Sequence, residues 1–347
     1  MKKFTILVLS LILVLALAAG ALAAEKPIKI RWGYFPGTTQ VTLHIAFDKG
    51  YFKGAGLDVE PVSFKSGLEM NEAFASDKIE VYSANPTAVI ISRDKGIPLK
   101  IVASLAKNGS YIVTRKGVTI NSAKDLLKYN VAVPGKANVQ DVLLRLALMN
   151  EGLDPNAYKA QTFAYADTTA VLQSQKYDAV FSTEPFISIA ERNGVIGQVV
   201  PLSTLGLEGH QCCVVAFKEE FIKKNPRIME KVVQAIDKAT EFYNKHPEES
   251  AVIVSRWTKA DPEILKQVFK RHYFVSRIDY AAENWYAVYL GLMKKMGYVQ
   301  NAKLSTDDII AREFQLKGFY NKNWSPSPKL ADNLGVKLPN PIKLASK

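Results

Sequence analysis

Cysteine is nearly absent from this chain. Two occur in 347 residues, adjacent at positions 212 and 213, so no disulfide framework holds the fold. Histidine is scarce too. His44, His210, His246 and His272 are scattered, with His246 at a predicted helix start and His272 in a basic run, and no metal-ligand spacing emerges. The formal charge is +12, yet no dense block of Lys or Arg occurs. That spread argues against a nucleic-acid partner and leaves room for an anionic ligand or an acidic partner surface. Catalytic signatures are missing: there is no G-x-S-x-G, H-E-x-x-H, P-loop or G-x-G-x-x-G. After residue 23 no run is long and apolar enough to span a membrane.

What is present begins with Lys2 and Lys3, an apolar stretch over 4–19, and Ala21-Leu22-Ala23. A basic start, an apolar run and a small-residue A-x-A site predict a secretory signal peptide cleaved after Ala23, hence an exported protein. With 48% hydrophobic and 22% charged residues, the remaining length suits two domains, each able to bury its own core.

Along the chain, strands and helices alternate. Strands are expected at 28–32, 57–64, 79–83 and 99–105, with helices at 38–49, 68–75 and 86–94 between them. Pro61 marks an edge strand or a strand boundary, and Asn85-Pro86 a helix start. Such alternation predicts a mostly parallel sheet covered on both faces. A strand at 111–115 leaves this unit. Val131–Val133, Pro134-Gly135 and Asn138 then form a strand, a turn and a helix cap, and Val139, Val142, Leu143, Leu146 and Ala147 share one helix face. That turn leaves amides and a positive dipole end open to a polar ligand. Further strands are expected at 161–165, 177–181 and 198–201, with Asp167 and Glu184-Pro185 opening helices. The strand at 212–217 runs back to the first unit. Asn225-Pro226, His246-Pro247 and Asp261-Pro262 each open a helix, another spans 280–296, and Ser305 or Thr306 caps a last one. From 321 the proline- and lysine-rich tail reads as a loosely packed extension.

Several segments carry a resemblance through their order and spacing. They are Ile30-Arg31-Trp32-Gly33-Tyr34, Ala46-Phe47-Asp48-Lys49-Gly50-Tyr51-Phe52, Gly56-Leu57-Asp58-Val59-Glu60, Ser66-Gly67 and Asn85-Pro86. Val131-Ala132-Val133 with Gly135, Tyr177-Asp178-Ala179, Glu184-Pro185-Phe186 and Phe221-Ile222-Lys223-Lys224-Asn225-Pro226 continue the series. Over about 28–299 the chain resembles the nitrate/sulfonate/taurine group of periplasmic substrate-binding proteins of ABC importers. The resemblance implies an α/β, periplasmic-binding-protein type II fold: two lobes joined by two hinge crossovers, with a helical C-terminal part. The expected division is 1–23 signal peptide, 24–112 with 215–320 as lobe 1, 113–214 as lobe 2, and 321–347 as tail.

The same resemblance implies a monomer that closes on a small molecule and delivers it to an inner-membrane ABC permease, with no cofactor, metal or nucleic acid. The ligand is expected to be a sulfonate-, taurine- or nitrate-like anion; a pyrimidine, a thiamine precursor or a flavin is the alternative, as is a ligand-sensing role. Contacts are expected from Tyr34, Thr38, Thr39, Gln40, Ser66, Gly67, Ser83 and Asn85 of the first lobe. The second offers Lys136, Asn138, Asp167, Glu184, His210 and Gln211. Asn138 and Asp167 serve equally well as plain helix caps, Glu184 as a first-turn acid, and Tyr34 as core. Family members that make the thiamine pyrimidine carry a cysteine-rich iron-binding run, which here shrinks to His210-Gln211-Cys212-Cys213, so an enzyme is not expected. Cys212 and Cys213 are expected as free thiols on opposite faces of a strand, one toward the core and one beside His210 near the ligand.

Overall fold

The computed structural model describes residues 28–64, 67–316 and 322–340. The expected leader and Ser66 lie outside these residues. Eleven described strands form two sheets. The first has the order β11-β4-β10-β3-β1-β2, from β1 (Lys29–Tyr34), β2 (Asp58–Ser63), β3 (Val81–Ala84), β4 (Leu99–Asn108), β10 (Gln211–Lys218) and β11 (His272–Phe274). The second has the order β7-β6-β8-β5-β9, from β5 (Ser110–Arg115), β6 (Val131–Val133), β7 (Gln161–Thr162), β8 (Ala179–Thr183) and β9 (Ile196–Val200). Pro61 sits in β2, the outer strand, where its missing N–H costs no ladder bond.

In direction each sheet is mostly parallel, with β1, β2, β3 and β4 running one way in the first and β6, β7, β8 and β9 one way in the second, but each is interrupted by reversed strands. β1 pairs parallel with β2 and β3, and β6 with β7 and β8. β10 runs antiparallel to β3 and β4, β11 to β4, and β5 to β8 and β9. The cause is the pair of crossings. β4 leaves toward the second sheet and β10 returns from it, so the two neighbours must run in opposite directions. Strand–helix alternation fixes direction only within a unit, and strands that cross between units escape it.

Caps place the helices. Asn85 accepts from the Ala88 amide with Pro86 at the first helical position, and Asn138 accepts from the Gln140 amide to start Val139–Asn150. Asp261 and Asp279 do the same for Pro262–Phe269 and Tyr280–Lys295. Asp167 precedes Thr168–Gln173 without a capping bond from its side chain.

The segment 322–340 is not a loose extension. Ser327 caps the helix Pro328–Leu334, whose Leu330 and Ala331 are buried. Pro328 at the first helical position starts this helix rather than preventing one. The helix packs against both Val139–Asn150 and Tyr280–Lys295. One apolar core runs through both units, joining Tyr82 and Ile101 of the first sheet, Val133 and Phe181 of the second, and Trp285 and Tyr289 of Tyr280–Lys295. A second core fills the other side of the first sheet with Trp32, Phe217, Val232 and Ile236.

Candidate functional site

The two crossings lie side by side. β4 ends at Asn108 and turns through Gly109 (φ +84°) into β5, while the return passes Gly209 (φ +73°) into β10. The Asn108 amide donates to the His210 carbonyl at 2.9 Å, and the Gly209 amide donates to Asn108 Oδ1 at 2.7 Å. A Cβ on Gly109 would come within 2.2 Å of His272 Nε2, so this turn needs glycine for space as well as for its left-handed backbone.

Beside the crossings, β10 slips register against β4 between Gln211 and Cys213 and again between Cys213 and Val214. Such a bulge breaks strict face alternation. It sets Cys212 Sγ and Cys213 Sγ 3.7 Å apart, both buried and neither in a disulfide. The expectation of opposite faces gives way here because the strand is irregular at this point. The Thr39 hydroxyl lies beside the Cys213 thiol and the Ser110 hydroxyl beside the Cys212 thiol. Ser110 Oγ also accepts from Gln140 Nε2 at 2.9 Å. Asn138, capping the same helix, lies beside the Tyr165 phenol, and burial raises that phenol's pKa. Tyr165 stacks parallel on Phe186, with centroids 6.0 Å apart. A run of neutral hydroxyl, thiol, amide and phenol groups thus passes from the first unit, through the crossings, to the second. Nearby, Gln40 donates through Nε2 to the Ser83 carbonyl. Gln40 Oε1 and Gln140 Oε1 are buried without hydrogen-bond partners.

Contacts across the two units hold them together. Thr38 Oγ1 donates to the Glu184 carbonyl at 2.7 Å. Arg271, just before β11, reaches Glu184 Oε1 and Glu191 Oε1, each at 2.7 Å, while Glu184 Oε2 accepts from the Ser188 amide. Tyr111 Oη donates to the Arg271 carbonyl, and Tyr298 Oη to Asp141 Oδ2.

Thr38, Thr39, Gln40 and Asn138 therefore gather near the crossings. Glu184 is there too, with both carboxylate oxygens engaged by protein. Tyr34 lies in an aromatic cluster with His44, Phe47 and Trp257. Ser83 Oγ accepts from Trp32 Nε1. Asn85 is occupied by its capping bond and by Thr87. Lys136 is exposed with Nζ over the Tyr298 ring, and Asp167 is exposed. His210 Nδ1 lies 3.2 Å from the Leu207 carbonyl and its ring meets Trp285 edge-on. Gln211 Oε1 accepts from Ser104. Gly67 begins the helix Gly67–Ala75. Sequence reasoning passed over Ser110 and Gln140. The available signal was position: Ser110 directly follows a glycine turn, and Gln140 lies in the first turn of the capped helix.

The fold matches that of the periplasmic aliphatic sulphonate binding protein SsuA from Escherichia coli, with TM-score 0.71 and 18% identity over 83% of this chain and 99% of the other. In sequence the chain is 22% identical over 278 residues to the formylaminopyrimidine-binding protein of Halalkalibacterium halodurans, covering 77% of this chain and 83% of that protein. It is 24% identical over 204 residues to the taurine-binding periplasmic protein of Escherichia coli, covering 58% and 62%. These relatives bear out the two-lobed binding-protein fold. The family model for the NMT1-like family matches residues 23–257, and the chain belongs to that family.

Proposed function

We propose that the protein is an exported solute-binding protein of an ABC importer, acting without catalysis. It takes a small molecule between its two units and hands it, as a monomer, to a membrane permease. The proposed lobes follow the two sheets, 24–108 with 211–320, and 110–209, so the crossings stand a few residues before the boundaries expected at 112 and 214. The observation that carries the reading is the continuous run of polar side chains, drawn from both units, at two hydrogen-bonded crossings. Two α/β units on such a hinge can close over a solute. Of the expected contacts, Thr38, Thr39, Gln40 and Asn138 are the proposed ligand groups, joined by Ser110, Gln140 and Tyr165. The relatives named for taurine and sulphonate support an oxyanion as ligand.

A second reading, a planar pyrimidine-like solute, is favoured by the Tyr165–Phe186 ring pair and by the two buried amide oxygens that await N–H donors. The relative named for formylaminopyrimidine supports it as well. The test is a melting-temperature screen of ligand-free protein against sulfonates, nitrate, bicarbonate and pyrimidines. A true solute at a hundred times its dissociation constant adds about 2.7 kcal/mol of stability. If no compound of any class raises the melting temperature, the binding reading fails; the class that does raise it decides between the two ligands.

A further inference from the structure

Adjacent cysteines in a regular strand point apart, and their sulfurs do not meet. In β10 the register slips on both sides of Cys213 and brings Cys212 Sγ and Cys213 Sγ to 3.7 Å. The pair lies among the polar groups at the crossings, with Thr39 from the first unit beside one sulfur and Ser110 from the second beside the other. We propose that Cys212 and Cys213 form a thiol–disulfide exchange site, taking a small disulfide of the glutathione type as co-reactant and closing into a bond between neighbouring residues.

The step balances. The Cys213 thiolate attacks one sulfur of the incoming disulfide, forms a mixed disulfide and expels one thiolate. Cys212 loses its proton to solvent, and its sulfur attacks the Cys213 sulfur and expels the second thiolate. Two protein thiols are oxidised to one disulfide, and the co-reactant is reduced to two thiols. The roles follow from the hydrogen bond between the two groups. Either sulfur can donate this bond, and the one that accepts it is favoured as the thiolate; with Cys212 donating, that sulfur is Cys213, while burial holds Cys212 protonated.

The product is reversible for a geometric reason. Consecutive α-carbons stand about 3.8 Å apart across a trans peptide, short of the usual disulfide span of about 4.4–6.8 Å. A strained disulfide has a high reduction potential and is reopened readily by thiols. Both sulfurs are buried, so the co-reactant reaches them when the units separate. Oxidation would withdraw both thiols from Thr39 and Ser110 and change the groups a solute meets. The proposal rests on the sulfur geometry and is independent of which solute binds.

The test uses the reduced full chain in native buffer with oxidised glutathione, followed by intact mass and peptide mapping. The expected product has lost the mass of two hydrogens, carries no glutathione, maps to Cys212–Cys213, and is restored by a dithiol reductant. Cys212→Ser should instead accumulate one stable glutathione on Cys213, and Cys213→Ser should react more slowly. Either of two results overturns the proposal: a lasting glutathione adduct on the parent protein, or two intact thiols in the folded protein under conditions that oxidise the urea-unfolded chain.

Discussion

Glu184 shows how a single side chain ties the two units. Glu184 is 1% exposed, and a buried charge is tolerable only when it is paired. Arg271 supplies the pair from the other unit and keeps 24% of its own side chain in water. Replacing Arg271 by Ala is therefore expected to cost about 3 kcal/mol, the low end of the range for breaking a buried pair. Adding Glu184→Gln should recover part of that loss, because the stranded charge disappears. Urea denaturation of the single and double variants checks this, and an unchanged midpoint in Arg271→Ala would remove the ion pair from the account. His210 gives a second expectation at this scale. Burial lowers its pKa from 6.5 to about 4, so between those values the unfolded chain holds a proton that the folded chain refuses. Stability is then full above about pH 6.5 and falls as the pH drops toward 4, by up to about 1.4 kcal/mol per pH unit for each such group. His44, lowered to about 3 by the same cause, adds to the slope. Denaturation curves at pH 7, 6 and 5 should show the fall, and His210→Gln should flatten it by one proton's worth.

At the scale of elements, the helix Val139–Asn150 has two uses for one residue. Asn138 Oδ1 caps the helix through the Gln140 amide at 2.7 Å, and the same side chain meets Tyr165 among the polar groups of the site. Asn138→Ala should lose the cap, a cost of about 1 kcal/mol. Asn138→Asp keeps a capping oxygen but sets a charge beside the phenol, so it should preserve stability and weaken solute binding. Unaltered solute affinity in Asn138→Asp would leave Asn138 as a cap alone. This helix was legible in the sequence because caps and apolar periodicity are local. So were the Asn85-Pro86 and Asp261-Pro262 starts and the edge position of β2. Three features were not. The bulge at Cys213 depends on how β10 meets β4, and no residue inside β10 announces it. β11 is three residues long and exists because β4 offers it an edge. Glu184 reads locally as a first-turn acid, yet its partner is 87 residues away.

At the scale of the molecule, the two crossings are reinforced by a third link. The segment 322–340 touches the second unit through Ser327 Oγ to Asn150 Oδ1 at 3.1 Å and Asn333 Nδ2 to the Met149 carbonyl at 2.8 Å. It is tied to Tyr280–Lys295 by Trp285 Nε1 to the Trp324 carbonyl at 2.5 Å and by the Asn340 amide to Asn284 Oδ1 at 3.0 Å. Trp324 also abuts Gly209 at the return crossing and lies under the Lys107 ammonium, whose pKa burial lowers against the pull of Asp279. A strap on both units, over a core that both units share, limits how far they separate. Leu330, fully buried, is where that strap is pinned. Truncating it to Ala should cost about 2–5 kcal/mol, the usual range for a buried leucine. If the strap restrains opening, the loss should also appear as shape. In small-angle scattering of solute-free Leu330→Ala, at a temperature where circular dichroism shows it folded, the radius of gyration should exceed that of the parent. With a bound solute holding the units closed, the two proteins should scatter alike. A folded Leu330→Ala that is less stable yet matches the parent without solute would mean that the strap contributes packing alone, and that the crossings by themselves set the opening.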